Sequence, residues 1–394
     1  MDNASGSGQS IAEDAAVAAS EATRQALSGL RGRKASLGFV FASARHPLQR
    51  VIEAAASVTP GTDLVASHTA GELTERGRSQ GGVAVLLLAS DRMLFDVQLA
   101  RGVRGSHLDA ARQLCSQFAP LNHAAGAMGL DASTSVLLVD GLNGTGEKLV
   151  REVMQGTRLF QQVVGGAAGD DAAFEATWVA ARGQAALDAA VAVHVFDRTP
   201  WGVGVDHGLR PRTERMTVTK AKGNVLHELD SRPAFEVYRE YARTRGVELD
   251  AARAGPFLIG NELGVFFLDE LHHARAPVSV GPEGELNLVA ELSEGSSVCI
   301  LDGEPEAMLE AAVRAATEAK DNLKGARPAG VLVFDCVCRG MILKEQFQRE
   351  VDAVRAVFPG TPIAGFLTYG EIAQFKGRLD GWHNTTTVVV AIPA

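Results

Sequence analysis

Residues 362–372, Pro362-Ile363-Ala364-Gly365-Phe366-Leu367-Thr368-Tyr369-Gly370-Glu371-Ile372, run an apolar strand into a turn of hydroxyl-bearing residues closed by a glycine and an acid. The same reading fits two earlier stretches. Leu64–Ser67 leads into Thr69-Ala70-Gly71-Glu72, and Gln162–Gly165 leads into Ala167-Ala168-Gly169-Asp170. Each strand is preceded by another apolar strand and a helix. These are Leu37–Ala42 with Leu48–Ser57, Val136–Val139 with a helix after Gly146, and Val331–Phe334 with Leu343–Val357. Each turn is followed by a last strand, at Val83–Leu88, Ala190–Phe196 and Thr386–Ile392. Self-similarity at this scale marks a repeated supersecondary unit.

A strand–helix–strand unit has the length for a parallel crossover. Glycine lets the chain turn sharply or approach another group closely, and the acid after it falls just beyond a strand end, where parallel sheets tend to hold ligands. The expectation is a mixed α/β protein of two related halves, built from repeated strand–helix–strand units with sheets covered by helices. Residues 1–9 read as a flexible tail, and Ser10-Ile11-Ala12-Glu13 as a capping box opening an Ala-rich helix. This gives a tail and helix over 1–35, a first domain over 36–220 and a second over 221–394, with the boundary near 207–230. Between the second and third copies the pattern changes. Arg215–Lys222 reads as an edge-like strand, Arg232–Arg243 as a helix, and short strands follow up to Leu301, where a diverged fourth copy over Asn261–Leu301 is one reading. Glu304–Leu323 is a long amphipathic helix.

The chain has 394 residues, 46% of them hydrophobic, and so has material for more than one core. Its net charge of −9 argues against nucleic acid and against anionic lipid, both of which need a basic face. Apolar runs such as Val83–Ala89 are strand-length, well short of the roughly 20 residues of a membrane span. The start MDNASGSGQS has neither the basic nor the apolar region of a secretory signal. The 4 cysteines are too scattered for a disulfide framework and read as reduced thiols of a cytoplasmic protein.

The C-terminal stretch resembles the end of the FIST C-terminal domain. The matching residues are Cys338-Arg339 after an apolar strand, Gly365 through Ile372, and His383-Asn384-Thr385 before the last strand. The first half is similar to the FIST N-terminal domain through Ser67-His68-Thr69-Ala70-Gly71-Glu72 and Val164 through Asp170. Lys220 through Asn224, Leu229-Asp230 and Pro233-Ala234 resemble the join between the two. The resemblance implies a prokaryotic sensory role in signal transduction, with small molecules such as amino acids as ligands. It also implies a partner such as a histidine kinase, cyclase or chemoreceptor. Haem-based nitric oxide sensing is an alternative that it carries.

Among the residues themselves, Arg339 and Glu371 follow two strands of one crossover unit and so share a sheet edge. An Arg fork holds a carboxylate and a Glu an ammonium, which suits a zwitterion; pairing with each other is the other reading. Thr368 and Tyr369 add hydroxyls at the same edge, and His383 and Asn384 precede the last strand. A second set, Thr69, Glu72, Asn143 and Asp170, stands at the corresponding places of the first two copies. His383 and His68 are the candidates for an axial haem ligand. Cys338, His383 and Asn384 would make a hydrolase-like nucleophilic set if they converge. Cys336 and Cys338 would face one side of a strand, with nothing nearby to complete a zinc site. Gly141 through Gly146 is a Gly-rich stretch between strand and helix, able to hold an anion at a helix N-terminus but lacking the lysine of a P-loop. No recognised catalytic motif is present, and the expectation is a binder rather than an enzyme.

Overall fold

The computed structural model describes residues 2–157, 161–267, 269–374 and 381–394. It is mixed α/β, as expected, with three six-stranded sheets and one nine-stranded sheet. The three repeat copies each supply one six-stranded sheet. In every copy the first two strands pair in parallel: Leu37–Ser43 with Asp63–Thr69, Ala132–Val139 with Gln162–Ala167, and Pro328–Cys336 with Ile363–Thr368. The last strand of each copy then pairs antiparallel with its first, through Val83–Ala89, Ala189–Asp197 and Thr387–Pro393.

The Gly-acid turns send the chain out of its own sheet. After Gly71, the hairpin Glu72–Thr74 and Gly77–Ser79 pairs with Ile363–Thr368 of the third sheet. After Gly370, Glu371–Gln374 pairs with Gln162–Ala167 of the second sheet and carries Trp382–His383 with it. Beyond Gly169, the hairpin Val179–Ala181 and Gln184–Ala186 pairs with Asp63–Thr69 of the first. The first copy thus lends its hairpin to the third, the third to the second, and the second to the first.

One face of each sheet looks into a shared core that includes Phe39, Phe41, Val136, Val164, Phe334 and Phe366, with the rings of Phe41 and Phe366 4.9 Å apart. Helices cover the outer faces. Strands closed on both sides read as continuous apolar runs, which is why Val83–Ala89 is buried at every position.

The first residues form a strand, Ala4–Ser10, that pairs with Val83–Ala89, where the sequence suggested a flexible tail. Its Gly and Ser content, poor for a strand in isolation, serves a close approach. A Cβ on Gly6 would lie 2.0 Å from the Ala26 carbonyl oxygen, and one on Gly8 2.0 Å from that of Ala22, so the helix Ala15–Gly29 sits directly on this strand. The third sheet uses the same device: Gly202 and Gly204 lie under Ala319 and Ala315 of the helix Pro305–Asn322. The first helix is capped by Asp14, whose carboxylate accepts from Ala16 and Val17 N–H. Ser10 does not cap it, because it lies in the strand and donates to Glu21.

The stretch between the second and third copies builds the nine-stranded sheet, which is antiparallel at every described pairing. It contains no parallel crossover over Asn261–Leu301, so the fourth-copy reading fails. Short loops join neighbouring strands there, and a parallel pair needs a long connection. Met216–Lys222 is paired on both sides over part of its length rather than lying at an edge. Among the described residues no helix is long and apolar enough to cross a membrane.

The exchanged hairpins make the three sheets interdependent, and the 3 tryptophans report on them separately. Trp178 leads into the hairpin on the first sheet, Trp382 lies in the hairpin on the second, and Trp201 precedes the edge strand Gly202–Asp206 of the third. Urea unfolding of three single-tryptophan variants, followed by fluorescence and by far-UV circular dichroism, should give one shared midpoint. Midpoints that separate would show that the sheets unfold independently.

Candidate functional site

The parallel strands of the second and third copies end beside the inserted antiparallel sheet. Between them lies a cleft of 440 Å³. Its floor is made at the strand ends by Gly141, Leu142, Cys336, Cys338 and Tyr369, and its roof by Ile259, Ala276, Val278 and Val289. Phe174, Val337, Met341 and Asn384 complete the wall. A volume of this size with an apolar lining and few polar groups is typical of a small-molecule site. A smaller polar hollow of 140 Å³ opens beside it, sharing Gly141, Val289 and Tyr369 and reaching Asn143, the start of the helix Gly146–Gly156, and Trp382.

Tyr369 is the hinge of this arrangement. Its hydroxyl donates to Asp170, and its ring stacks on Phe174 with centroids 4.6 Å apart. Burial and the donation to Asp170 push the phenol above its ordinary pKa, so it stays a donor. Asp170 also accepts from Phe174, Glu175 and Ala176 N–H at 2.8, 2.6 and 2.8 Å. The acid of the second copy therefore fixes the loop that brings Phe174 to the wall. Phe174 holds a positive φ of 57° there.

The other two turn acids are internal staples. Thr69 donates to Glu72 at 2.6 Å and Thr368 to Glu371 at 2.5 Å, the same contact in two copies. The remaining oxygens accept from the Ser79 hydroxyl and Gly82 N–H in one case and from Thr386 N–H in the other. Both carboxyls are fully buried. Burial raises Glu72 to about 7 and Glu371 well above the usual carboxylate range, and neither side chain lines the cleft.

Arg339 is also wholly buried, in the first turn of the helix Val337–Leu343. Its guanidinium donates to Glu350, to the His207 carbonyl at 2.7 Å and to the Met308 carbonyl at 2.9 Å, with Asp335 at 3.1 Å. It ties three helices and a strand end together beneath the cleft. Because the strand stops at Cys336, Cys338 lies on this helix and not on the same strand face as Cys336.

His383 Nε2 lies 3.0 Å from the Ala373 carbonyl and His68 Nε2 3.0 Å from the His46 carbonyl, so each donates from that nitrogen. Neither ring lines the cleft, and the two do not fit a haem seated there. Cys338 and Asn384 both line it, but Asn384 donates to the His383 backbone carbonyl rather than orienting the imidazole. No group of three His, Cys, Asp or Glu placed to hold a metal occurs among the described residues. Of the sequence candidates, the structure brings Tyr369, Asn384, Cys336 and Cys338 to the cleft and Asn143 with Gly141, Gly144 and Gly146 to its hollow, with Asp170 behind Tyr369. Sequence reasoning missed Phe174, Trp382 and the valines of the roof. Only Trp382, a rare residue beside Gly381, carried any signal.

The inserted sheet is fastened to the body at the rim. Arg275 pairs with Glu147 at 3.1 Å, Lys148 with Glu291 at 2.9 Å, and Glu291 N–H donates to Glu147. At the base, Thr385 donates to the buried Glu262.

A family model described as the FIST N domain matches residues 36–232, and one described as the FIST C domain matches residues 234–374. A stretch of 98 residues is 32% identical to an uncharacterised protein of Methanocaldococcus jannaschii, covering 25% of this chain and 19% of that protein. The match thus spans about a fifth of that relative's length.

Two outcomes test the buried groups. Arg339→Ala leaves Glu350 and Asp335 without their cation and should cost about 3–5 kcal/mol of stability, measured by urea denaturation. A loss within error would show that the pairs are not coupled to the fold. Burial lifts Glu262 from 4.5 to about 8, so the folded state keeps a proton that the unfolded chain releases. Its contribution is complete below pH 4.5 and is lost as pH rises toward 8. Glu262→Gln should flatten part of the fall in thermal midpoint across that window, and an unchanged slope would contradict the assignment.

Proposed function

This chain belongs to the FIST family, and from that premise we propose that it is a sensor that holds a small metabolite in the cleft beneath the inserted sheet. FIST domains are sensory, small-ligand-binding domains of signal transduction. The observation that carries the reading is the position of the cleft, with its floor on the repeat body and its roof on the inserted sheet. A ligand there touches both, so its binding energy differs between a closed and an open placement of the roof. A ligand shifts a conformational equilibrium only through such differential contact.

The rim pairs Arg275–Glu147 and Lys148–Glu291 are the contacts that such a movement would load. The signal passes to a partner protein of the histidine kinase, cyclase or chemoreceptor class. The four free cysteines, three of them buried, fit a reducing cytoplasm. The role is binding rather than catalysis: the acids beneath the cleft are engaged inside the protein, Asp335 with Arg339 and Glu371 with Thr368, and His383 Nε2 donates to the Ala373 carbonyl.

A metabolite screen by thermal shift on the wild type and on Val278→Trp tests this. A ligand at about 100 times its Kd adds about 2.7 kcal/mol of stability, a shift of several degrees in the wild type. The indole at position 278 should fill the cleft and remove that shift while leaving the unliganded midpoint near the wild-type value. An equal shift in both proteins would place the ligand elsewhere.

A further inference from the structure

The strand Ala4–Ser10 ends the first sheet and, among the described strands, pairs only with Val83–Ala89. The register decides which of its main-chain groups that pairing uses. In a strand the N–H and C=O of one residue leave on the same side, and successive residues alternate. The carbonyls of Gly82 and Leu88 accept from Ser43 and Ser36 N–H, on the side away from Ala4–Ser10. Leu87 and Val85 therefore turn toward Gly6 and Gly8, while Ser5 and Ser7 stand opposite Leu88 and Leu86 and turn outward. Gln9 follows the same alternation, and its N–H leaves the sheet for the Gln25 side chain at 3.1 Å.

This outward edge opens on a groove of 750 Å³. One wall is Gln25, Ser28 and Gly29 of the helix Ala15–Gly29, and the other is Pro328, Ala329 and residues 359–362 of the third copy. The Ser5 and Ser7 hydroxyls are spent elsewhere, on the Ala329 carbonyl at 2.6 Å and on Glu75 at 2.7 Å. What these two residues offer the groove is main chain, and an open row of N–H and C=O groups is a template for an added strand. Near Gln9, Arg76 donates across to Gln25 and marks the end of the open stretch.

The lining is basic in a chain of net charge −9. It holds Arg31, Arg33, Arg76 and Arg327, against Asp2 and, counted as a carboxylate, Ala394. Arg327 pairs with Asp2 at 2.8 Å, and Arg33 with Asp91 at 3.3 Å. Arg31 is exposed and enters no ion pair among the described residues. A second copy of this chain docked edge to edge would set these arginines against their own likeness. An acidic strand satisfies the edge and the charge together, since an Arg fork takes a carboxylate through two N–H groups.

We propose that this groove receives an extended acidic segment of a partner protein, added as a strand beside Ala4–Ser10. Its carbonyls accept from Ser5 and Ser7 N–H, its amides donate to their carbonyls, and its carboxylates lie among the arginines. The groove shares no residue with the metabolite cleft, and the proposal does not rest on what the cleft holds.

The test is calorimetric titration of the whole protein with three capped peptides. The first is Glu-Thr-Glu-Val-Glu-Thr-Glu, the second has Lys at every Glu, and the third is the acidic peptide N-methylated at every amide. Ser5→Pro removes an outward N–H and sets ring carbons in the groove without breaking a bond to Val83–Ala89, a place where edge strands accept proline. Ser5→Ala removes the same hydroxyl and keeps the N–H. The acidic peptide should bind the wild type and Ser5→Ala alike, and lose about tenfold in Ser5→Pro and several-fold in Arg31→Glu. The lysine and N-methylated peptides should bind the wild type at least about tenfold more weakly. Equal binding of the N-methylated peptide would reduce the groove to an anion patch and overturn strand addition. Equal binding of the lysine peptide would overturn the acidic partner, and no binding of the acidic peptide to the wild type would overturn both. Should Ser5→Pro fail to fold by far-UV circular dichroism, an unchanged affinity in the exposed-site variant Arg31→Glu still overturns the assignment.

Discussion

Everything in this molecule depends on a cyclic exchange of hairpins. Each copy turns at a glycine followed by an acid and completes a neighbour's sheet instead of its own. The turns must therefore be tight and internally satisfied, because the backbone passes from one sheet to another through the middle of the protein. Thr69 with Glu72 and Thr368 with Glu371 meet that need by closing hydroxyl–carboxyl contacts where water is excluded. A buried polar group without such a partner would cost a large share of a fold's marginal stability. The same exchange draws the ends of the parallel strands together, and the cleft forms where two of those ends meet the inserted sheet.

The repeat was legible because parallel strands buried on both faces leave unbroken apolar runs, and because the Gly-acid pairs recur at matching places. The destination of each hairpin was not. A strand carries no mark of which sheet it will join, and Glu72–Thr74 is only 3 residues long. The strand Ala4–Ser10 was hidden for a related reason. Its glycines look like disorder until the helix carbonyls above Gly6 and Gly8 are seen. Local composition reported chain flexibility, while the tertiary contact required the absence of a side chain.

The site was legible in part. Tyr369 and Asn384 follow from polar groups at strand ends, and they do line the cleft. Arg339 and Glu371 follow from the same rule, yet both are fully buried and bonded inward. Nearness to a strand end is readable from a pattern, but depth is not, and depth decides whether a charge meets a ligand or a protein partner. The roof was unreadable for another reason. Val278 and Val289 belong to a sheet whose packing on the body depends on distant pairs such as Arg275 with Glu147.

The order of the exchange, first to third to second to first, is that of a closed ring of three identical subunits, each inserting an arm into the next. Such a ring would be bound by symmetry: any change in one turn would appear in all three. Joined in one chain, the turns are released from that bond. Two of them keep the threonine and glutamate that hold the crossing shut. The one at Gly169 has alanine at the threonine position, and its aspartate reaches out to Tyr369 and Phe174 instead. Loss of symmetry at a single crossing gives the molecule a front.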